Sequence, residues 1–168
     1  MKKYIKLIGF LLILISSFAA VFDILSRAAK RVAFLKEMSG IAERISARIT
    51  LSNATVGEIL EEFSKGGGIT AALFLKMKKE FEESLNLKEA FLKSADMRIV
   101  KKEDIRIMSE LFSALGTTDT EGQKKVLDTA VKLILKQADE AESEKKTDVK
   151  NKCIGLIFLG FAVGLMLV

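Results

Sequence analysis

The stretch LIGFLLILISSFAAVF, residues 7–22, and its counterpart CIGLIFLGFAVGLMLV, residues 153–168, decide how the rest of the chain is read. Each is a run of 16 uncharged positions. At about 1.5 Å rise per residue, each covers roughly 24 Å as a helix, a little short of a hydrocarbon core of about 30 Å. Lys6 and Lys152 at their edges can snorkel across the remainder. A soluble helix would show a polar face in its last turn, whereas GLMLV is apolar on every side. The expectation is therefore a transmembrane helix over residues 4–22, a helical domain over 23–152 and a second transmembrane helix over 153–168. A competing reading makes residues 1–19 a cleaved signal peptide, because MKKYIK is a positive leader and Ser17-Phe18-Ala19 has small-x-small spacing. That alternative leads to a secreted or surface-attached helical protein. Against it, the apolar pattern runs unbroken through Ala20, Val21, Ile24 and Leu25, where a cleavage site prefers extended chain.

Working outward, the 168 residues contain no His, no Pro, no Trp and a single Cys. Without imidazole, Ser-His-Asp and Cys-His catalysis, histidine metal sites and histidine pH switches are excluded. Cys153 alone cannot form an internal disulfide or a cysteine cage. With no Pro and apolar residues recurring at three- and four-residue steps, the chain reads as all-α, a cytosolic bundle of five to six helices between the two end segments.

Charge sets the expected topology. Arg27, Lys30, Arg31, Lys145, Lys146, Lys150 and Lys152 flank the middle segment, against three lysines before the first run and none after the second. The positive-inside rule then puts the middle domain in the cytoplasm, in a multi-pass arrangement in the cell membrane. Residues 32–144 hold 17 basic and 20 acidic side chains, a net of −3. The basic excess thus belongs to the membrane flanks and not to a nucleic-acid-binding face.

In the middle segment, Ile24, Ala28, Val32, Leu35, Met38, Ala42, Ile45 and Ile49 form one stripe of a first helix, which Ser39-Gly40 is placed to bend. Thr55 and Glu58 have capping-box spacing ahead of Ile59, Leu60 and Phe63, and Lys65-Gly66-Gly67-Gly68 ends that helix. A third helix carries Leu73, Phe74, Met77, Phe81 and Leu85 inward. Asn86 and Glu89 cap a fourth, with Ala90, Phe91 and Met97 expected inside. The fifth is marked by Ile105, Met108, Leu111, Phe112 and Leu115 and closed by Gly116. The sixth begins at Thr118 or Asp119, and its stripe Leu127, Val131, Ile134, Ala138, Ala141 can run on into the second apolar run as one continuous rod.

Motifs that suggest chemistry are outweighed by plainer readings. The Lys65 glycines are in the wrong order for a phosphate loop, since the lysine precedes them. The pairs Glu61/Glu62, Glu82/Glu83 and Glu103/Asp104 are read as solvated charges opposite the apolar stripes, and a tuned acid needs burial. The expectation is no catalytic residue, no metal and no cofactor, hence not an enzyme. Two candidate contact sites remain. Gly160 and Gly164, with Gly155 five residues earlier, form a small-residue face for membrane helix packing, through self-association or against Gly9 and Ser16. The polar connection Gly116, Thr117, Thr118, Asp119 and Gln123 is a candidate partner-docking surface, with simple helix capping as its equal rival.

LFSALGTTDTEGQ, residues 111–123, looks like the leucine-glycine, aspartate, glutamine signature of the stage III sporulation protein AB family. A long helix with Ala138 and Ala141 and a glycine-rich apolar end follow, as in that family. Leu87-Lys-Glu-Ala90-Phe91 is similar to its alanine-aromatic motif, with Phe91 where the family usually has Trp. The chain departs from the pattern at RISARITLSN, residues 44–53, which lacks the family's tyrosine and Thr-Pro-Leu turn. The resemblance implies a bundle like the cytoplasmic domains of type II secretion and type IV pilus platform proteins. It also implies residence in the mother-cell membrane around the forespore, within a channel complex that includes a secretion-type ATPase. The functional expectation is a non-enzymatic membrane scaffold that docks this ATPase and organises other subunits. Homo-oligomers are compatible with it; nucleic acid and small-molecule substrates are not expected.

Overall fold

The computed structural model describes residues 2–52, 54–115 and 120–167. Among these residues no strand occurs, and the all-α class read from the sequence is the class observed. The elements are α1 (Lys2–Ser52), α2 (Val56–Ser64), α3 (Ala71–Ser84), α4 (Leu87–Ser94), α5 (Lys102–Ala114), α6 (Thr120–Glu144), a π-helical turn (Lys145–Val149) and α7 (Lys150–Leu167). The expected rod from α6 into α7 is helical throughout, but it is interrupted by the wider π turn in the charged tract. α1 remains helical across Ser39-Gly40. The chain forms two compact units, Lys30–Glu140 and the two chain ends, up to Ala29 and from Ala141.

In the Lys30–Glu140 unit, α1 contributes Leu35, Met38, Ala42, Ile45 and Ile49, the stripe expected from spacing, and adds Phe34 and Ile41. α3 packs against α2 and α4, and α4 against α5. Phenylalanines link these helices: the rings of Phe63 and Phe74 lie 5.4 Å apart, Phe74 and Phe112 6.2 Å, and Phe91 and Phe112 5.0 Å. The tilted and edge-on geometries suit the ring quadrupoles. Leu127, Ala130, Val131, Ile134 and Ala138 bury the matching side of α6.

The helix ends follow local rules. Thr55 Oγ1 accepts from the Glu58 N–H, and the Glu58 carboxylate accepts from the Thr55 N–H at 2.8 Å, a complete capping box. Asn86 Oδ1 accepts from the Glu89 N–H at 3.1 Å at the start of α4. Two inward expectations fail for conformational reasons. Leu85 ends α3 in the left-handed region (φ 53°), which rotates it out of helical register, and it is 78% exposed. Met97 follows the end of α4, where Asp96 Oδ1 accepts from the Arg98 N–H in a side-chain-closed turn, and it faces solvent.

In the unit formed by the chain ends, the proportions reverse. Large apolar side chains such as Leu12, Ile15, Phe18, Phe22, Phe158 and Leu159 are exposed. The internal contact is made at glycines, with Gly160 and Gly164 buried against Ser17 and Phe10. Two helical stretches, 6–52 and 121–166, are long and apolar enough to cross a membrane.

Candidate functional site: a buried charge clamp and a glycine contact

α1, α5 and α6 meet at one polar point inside the Lys30–Glu140 unit. Arg31 donates from Nε to Asp104 Oδ2 at 2.8 Å and from Nη2 to Asp104 Oδ1 at 3.0 Å, a two-pronged pair with side chains only 8% and 0% exposed. Nη2 also donates to Gln137 Oε1 of α6 at 3.3 Å. Asp104 Oδ2 further accepts from the Lys101 N–H at 2.8 Å, so the same carboxylate caps α5. Taking two charges out of water is costly, and fork geometry with added hydrogen bonds is what offsets that cost. The arrangement fixes three helices.

This geometry corrects two expectations. Asp104 is not a solvated face charge; it lies four residues before Met108 and seven before Leu111, on the buried side of α5. Arg31 is not a free membrane-flank cation, because it lies four residues before Leu35 and seven before Met38 and is drawn into the core. By contrast, Glu61, Glu62, Glu82 and Glu103 lie outside the buried core. Glu61 is held at a pKa of about 2 by hydrogen bonds and charge from Lys65 and Lys78, and Arg106 holds Glu103 below its usual range.

A second internal tie uses Glu37 of α1. Its carboxylate accepts from the Ile69 N–H at 3.0 Å, the Thr70 N–H at 3.3 Å and Thr70 Oγ1 at 2.5 Å, which ties α1 to the segment leading into α3. The glycine run therefore does more than end α2. Gly68 has φ +101°, and a Cβ there would stand 2.7 Å from Glu37 Cδ, so only glycine permits the approach.

Between α1 and α7, Gly160 faces Ser17 and Gly164 faces the Phe10 ring. A Cβ on Gly160 would lie 3.0 Å from Ser17 Cβ, and one on Gly164 2.6 Å from Phe10 Cε2. Phe10 and Phe161 stack edge-on at 6.1 Å. Gly160 and Gly164 thus form a close helix contact, but their partners are Ser17 and Phe10 instead of Ser16 and Gly9. Gly155 does not join it: a Cβ there meets nothing within 4 Å. Five residues rotate an α-helix by about 140° from Gly160, off the face that Gly160 and Gly164 share.

Of the candidate docking residues, Gly116, Thr117, Thr118 and Asp119 lie outside the described residues. Gln123 is half-buried on α6. Among the described residues no cluster of His, Cys, Asp or Glu is placed to hold a metal ion.

A family model described as stage III sporulation protein AB matches residues 6–168. No curated protein and no solved structure matches the chain. The match runs across both apolar ends and all the helices between them, including the segments that carry the clamp and the glycine contact. With nearly the whole chain accounted for, this protein belongs to the stage III sporulation protein AB family and has a role related to sporulation.

Proposed function

We propose that this chain is a non-enzymatic platform subunit of a sporulation secretion-like channel complex, held in the membrane by its two ends. Its Lys30–Glu140 bundle docks a cytosolic ATPase and organises membrane partners. The single observation that carries this reading is helical continuity: α1 runs without a break from Lys2 to Ser52, belonging to both units, while its apolar window is only 6% buried. A large apolar surface left uncovered on a helix needs a nonpolar environment. The Arg31–Asp104–Gln137 clamp ties that same helix to α5 and α6. Work delivered to the bundle is then passed along packed helices instead of being absorbed by loose side chains.

The remaining flanking cations, Arg27, Lys30, Lys145, Lys146, Lys150 and Lys152, still outnumber Lys2, Lys3 and Lys6, which favours a cytoplasmic bundle. Family membership supports the sporulation setting; the mother-cell membrane and the ATPase partner enter with it as parts of the proposal. The test is a pair of reporters, one inserted at Gly66–Gly68 and one after Val168. A cytosolic signal from the first and an external signal from the second is the expected result, and an external signal from the first overturns the topology. The rival secreted form predicts a mature chain starting at Ala20, which N-terminal sequencing detects. For the mechanical part, hydrogen exchange across Ala138–Lys152 should show protection continuous with α6. Rapid exchange confined to the π turn would remove α6 and α7 as a path for that work.

A further inference from the structure

Ala141, in the unit formed by the chain ends, is 4% exposed, and the helix beyond it passes through the π turn Lys145–Val149 into α7. In an uninterrupted α-helix each residue turns the chain by about 100°, so residues eleven, eighteen and twenty-two positions on come back beneath the starting one. Counted from Ala141, those positions hold Lys152, Leu159 and Val163. All three are exposed, Leu159 by 63% and Val163 by 44%. Among the described residues of α7, the buried ones are instead Cys153, Gly160 and Gly164, each one position later.

A delay of one residue is what a π turn supplies. Its hydrogen bonds run from residue i to residue i+5, so one turn holds a residue more than an α turn does. The π turn lies between Ala141 and Cys153, where the change of side occurs. Along it Lys145 and Val149 are half-buried while Lys146, Thr147 and Asp148 are exposed, so the packed side stays in line through the turn. The delay has a chemical consequence. Without it, the side of α7 beneath Ala141 would carry a lysine ammonium and two branched side chains. With it, that side carries Gly160 and Gly164, which meet Ser17 and Phe10 and have no side chain to keep the helices apart.

We propose that the π turn is a register device: it absorbs one surplus residue of the 145–149 tract and so delivers the glycine side of α7 to α1, turning Lys152, Leu159 and Val163 outward. The device adds to the platform reading an account of how the second end of the chain meets the first. It rests on burial and helix geometry alone, and it holds whether or not a membrane surrounds the two ends.

The test uses the full-length chain in lipid nanodiscs with Cys153→Ala, Ser17→Cys and Gly160→Cys. A Cβ at position 160 lies 3.0 Å from Ser17 Cβ, so a small shift brings the pair to disulfide distance. Disulfide yield under mild oxidation then reports which side of α7 faces α1. Deletion of Thr147 removes the surplus and leaves an uninterrupted helix with the same sides in contact. The disulfide should be retained in full, and the melting temperature should not fall. Deletion of Thr147 together with Asp148 turns α7 by about 100°, and the disulfide should be lost. A second readout leaves the contact unsubstituted: ring-current shifts from Phe10 on the Gly164 α-protons should survive the single deletion and vanish in the double one. Loss of the disulfide, of the ring-current shift or of folding after the single deletion overturns the proposal. A double deletion that crosslinks as well as the single one overturns it too. So does a parent chain that gives neither disulfide nor ring-current shift.

Discussion

α1 obeys opposite packing rules in its two halves. Up to Ala29 its internal contacts are made where Ser17 and Phe10 meet the glycines of α7, while Leu12, Ile15, Phe18 and Phe22 face outward. From Lys30 onward, Phe34, Leu35, Met38 and Ile45 face inward and most charges face out, with Arg31 paired in the core and Glu37 turned towards Ile69 and Thr70. In water, burial of large apolar area drives association, so large side chains go inside. Where the surroundings are themselves apolar, that drive is gone; close backbone approach through small residues is what remains. One helix carrying both patterns is what the proposed anchoring in a membrane requires, and the change falls near Arg31, whose charge is matched inside the bundle.

The sharpest attempt to break this contrast is to remove one member of the clamp. Asp104→Ala should cost about 3–5 kcal/mol of unfolding free energy, because Arg31 is left charged and unpaired in the core. Denaturant unfolding of the solubilised chain measures it. The double change Arg31→Met with Asp104→Leu should recover most of the loss, since no buried charge is then stranded. If Asp104→Ala costs under about 1 kcal/mol, the pair behaves as a surface bridge and the inward half loses its distinction.

Next in size is the outward half. Gly164→Leu should cost about 1–3 kcal/mol by forcing Phe10 aside, whereas Gly155→Leu should be neutral within about 0.5 kcal/mol. Thermal unfolding in one detergent compares them directly, and equal effects would dissolve the small-residue rule for this end of the chain. A smaller gain is expected at Leu85→Gly. Relief of a left-handed backbone is worth about 1–2 kcal/mol, and the added freedom of the unfolded glycine takes back about 0.5–1. A net rise of roughly 0.5 kcal/mol, read as a higher melting temperature, is the expected outcome.

The smallest effect belongs to an exposed charge. Glu61 has its folded pKa lowered from 4.5 to about 2 by Lys65 and Lys78. Its contribution is therefore full above about pH 4.5 and is lost as pH falls towards 2. Glu61→Gln should flatten the unfolding curve against pH slightly in that window alone. High salt should shrink the difference further, as solvent-exposed pairs are screened.

Much of this contrast was legible in the sequence. The apolar stripe of α1 from Leu35 onward, the Thr55–Glu58 capping box and the Asn86 cap are spaced as local chemistry demands, and each forms as read, while Ile24, Ala28 and Val32 of that stripe are only half-buried. Asp104 and Arg31 read as solvent-facing by charge, although their register points inward. Arg31, Leu35, Met38, Ala42, Ile45 and Ile49 fall at one helical repeat, as do Asp104, Met108, Leu111 and Leu115. Charge argued for solvent, spacing argued for the core, and spacing was right because each charge had the other to meet. The tie from Glu37 to Ile69 and Thr70 left no comparable trace, since nothing local to Gly68 names an acceptor 31 positions earlier.

The sequence by itself determined that this chain is helical, where most helices begin and end, and that its two ends are too apolar for an ordinary soluble surface. Those properties depend on residues within a turn or two of each other. Only the tertiary structure decided which charges enter the core and which two of three glycines are packed. Arg31 and Asp104 are separated by 73 positions, and desolvation and close packing are settled by what arrives across such a distance.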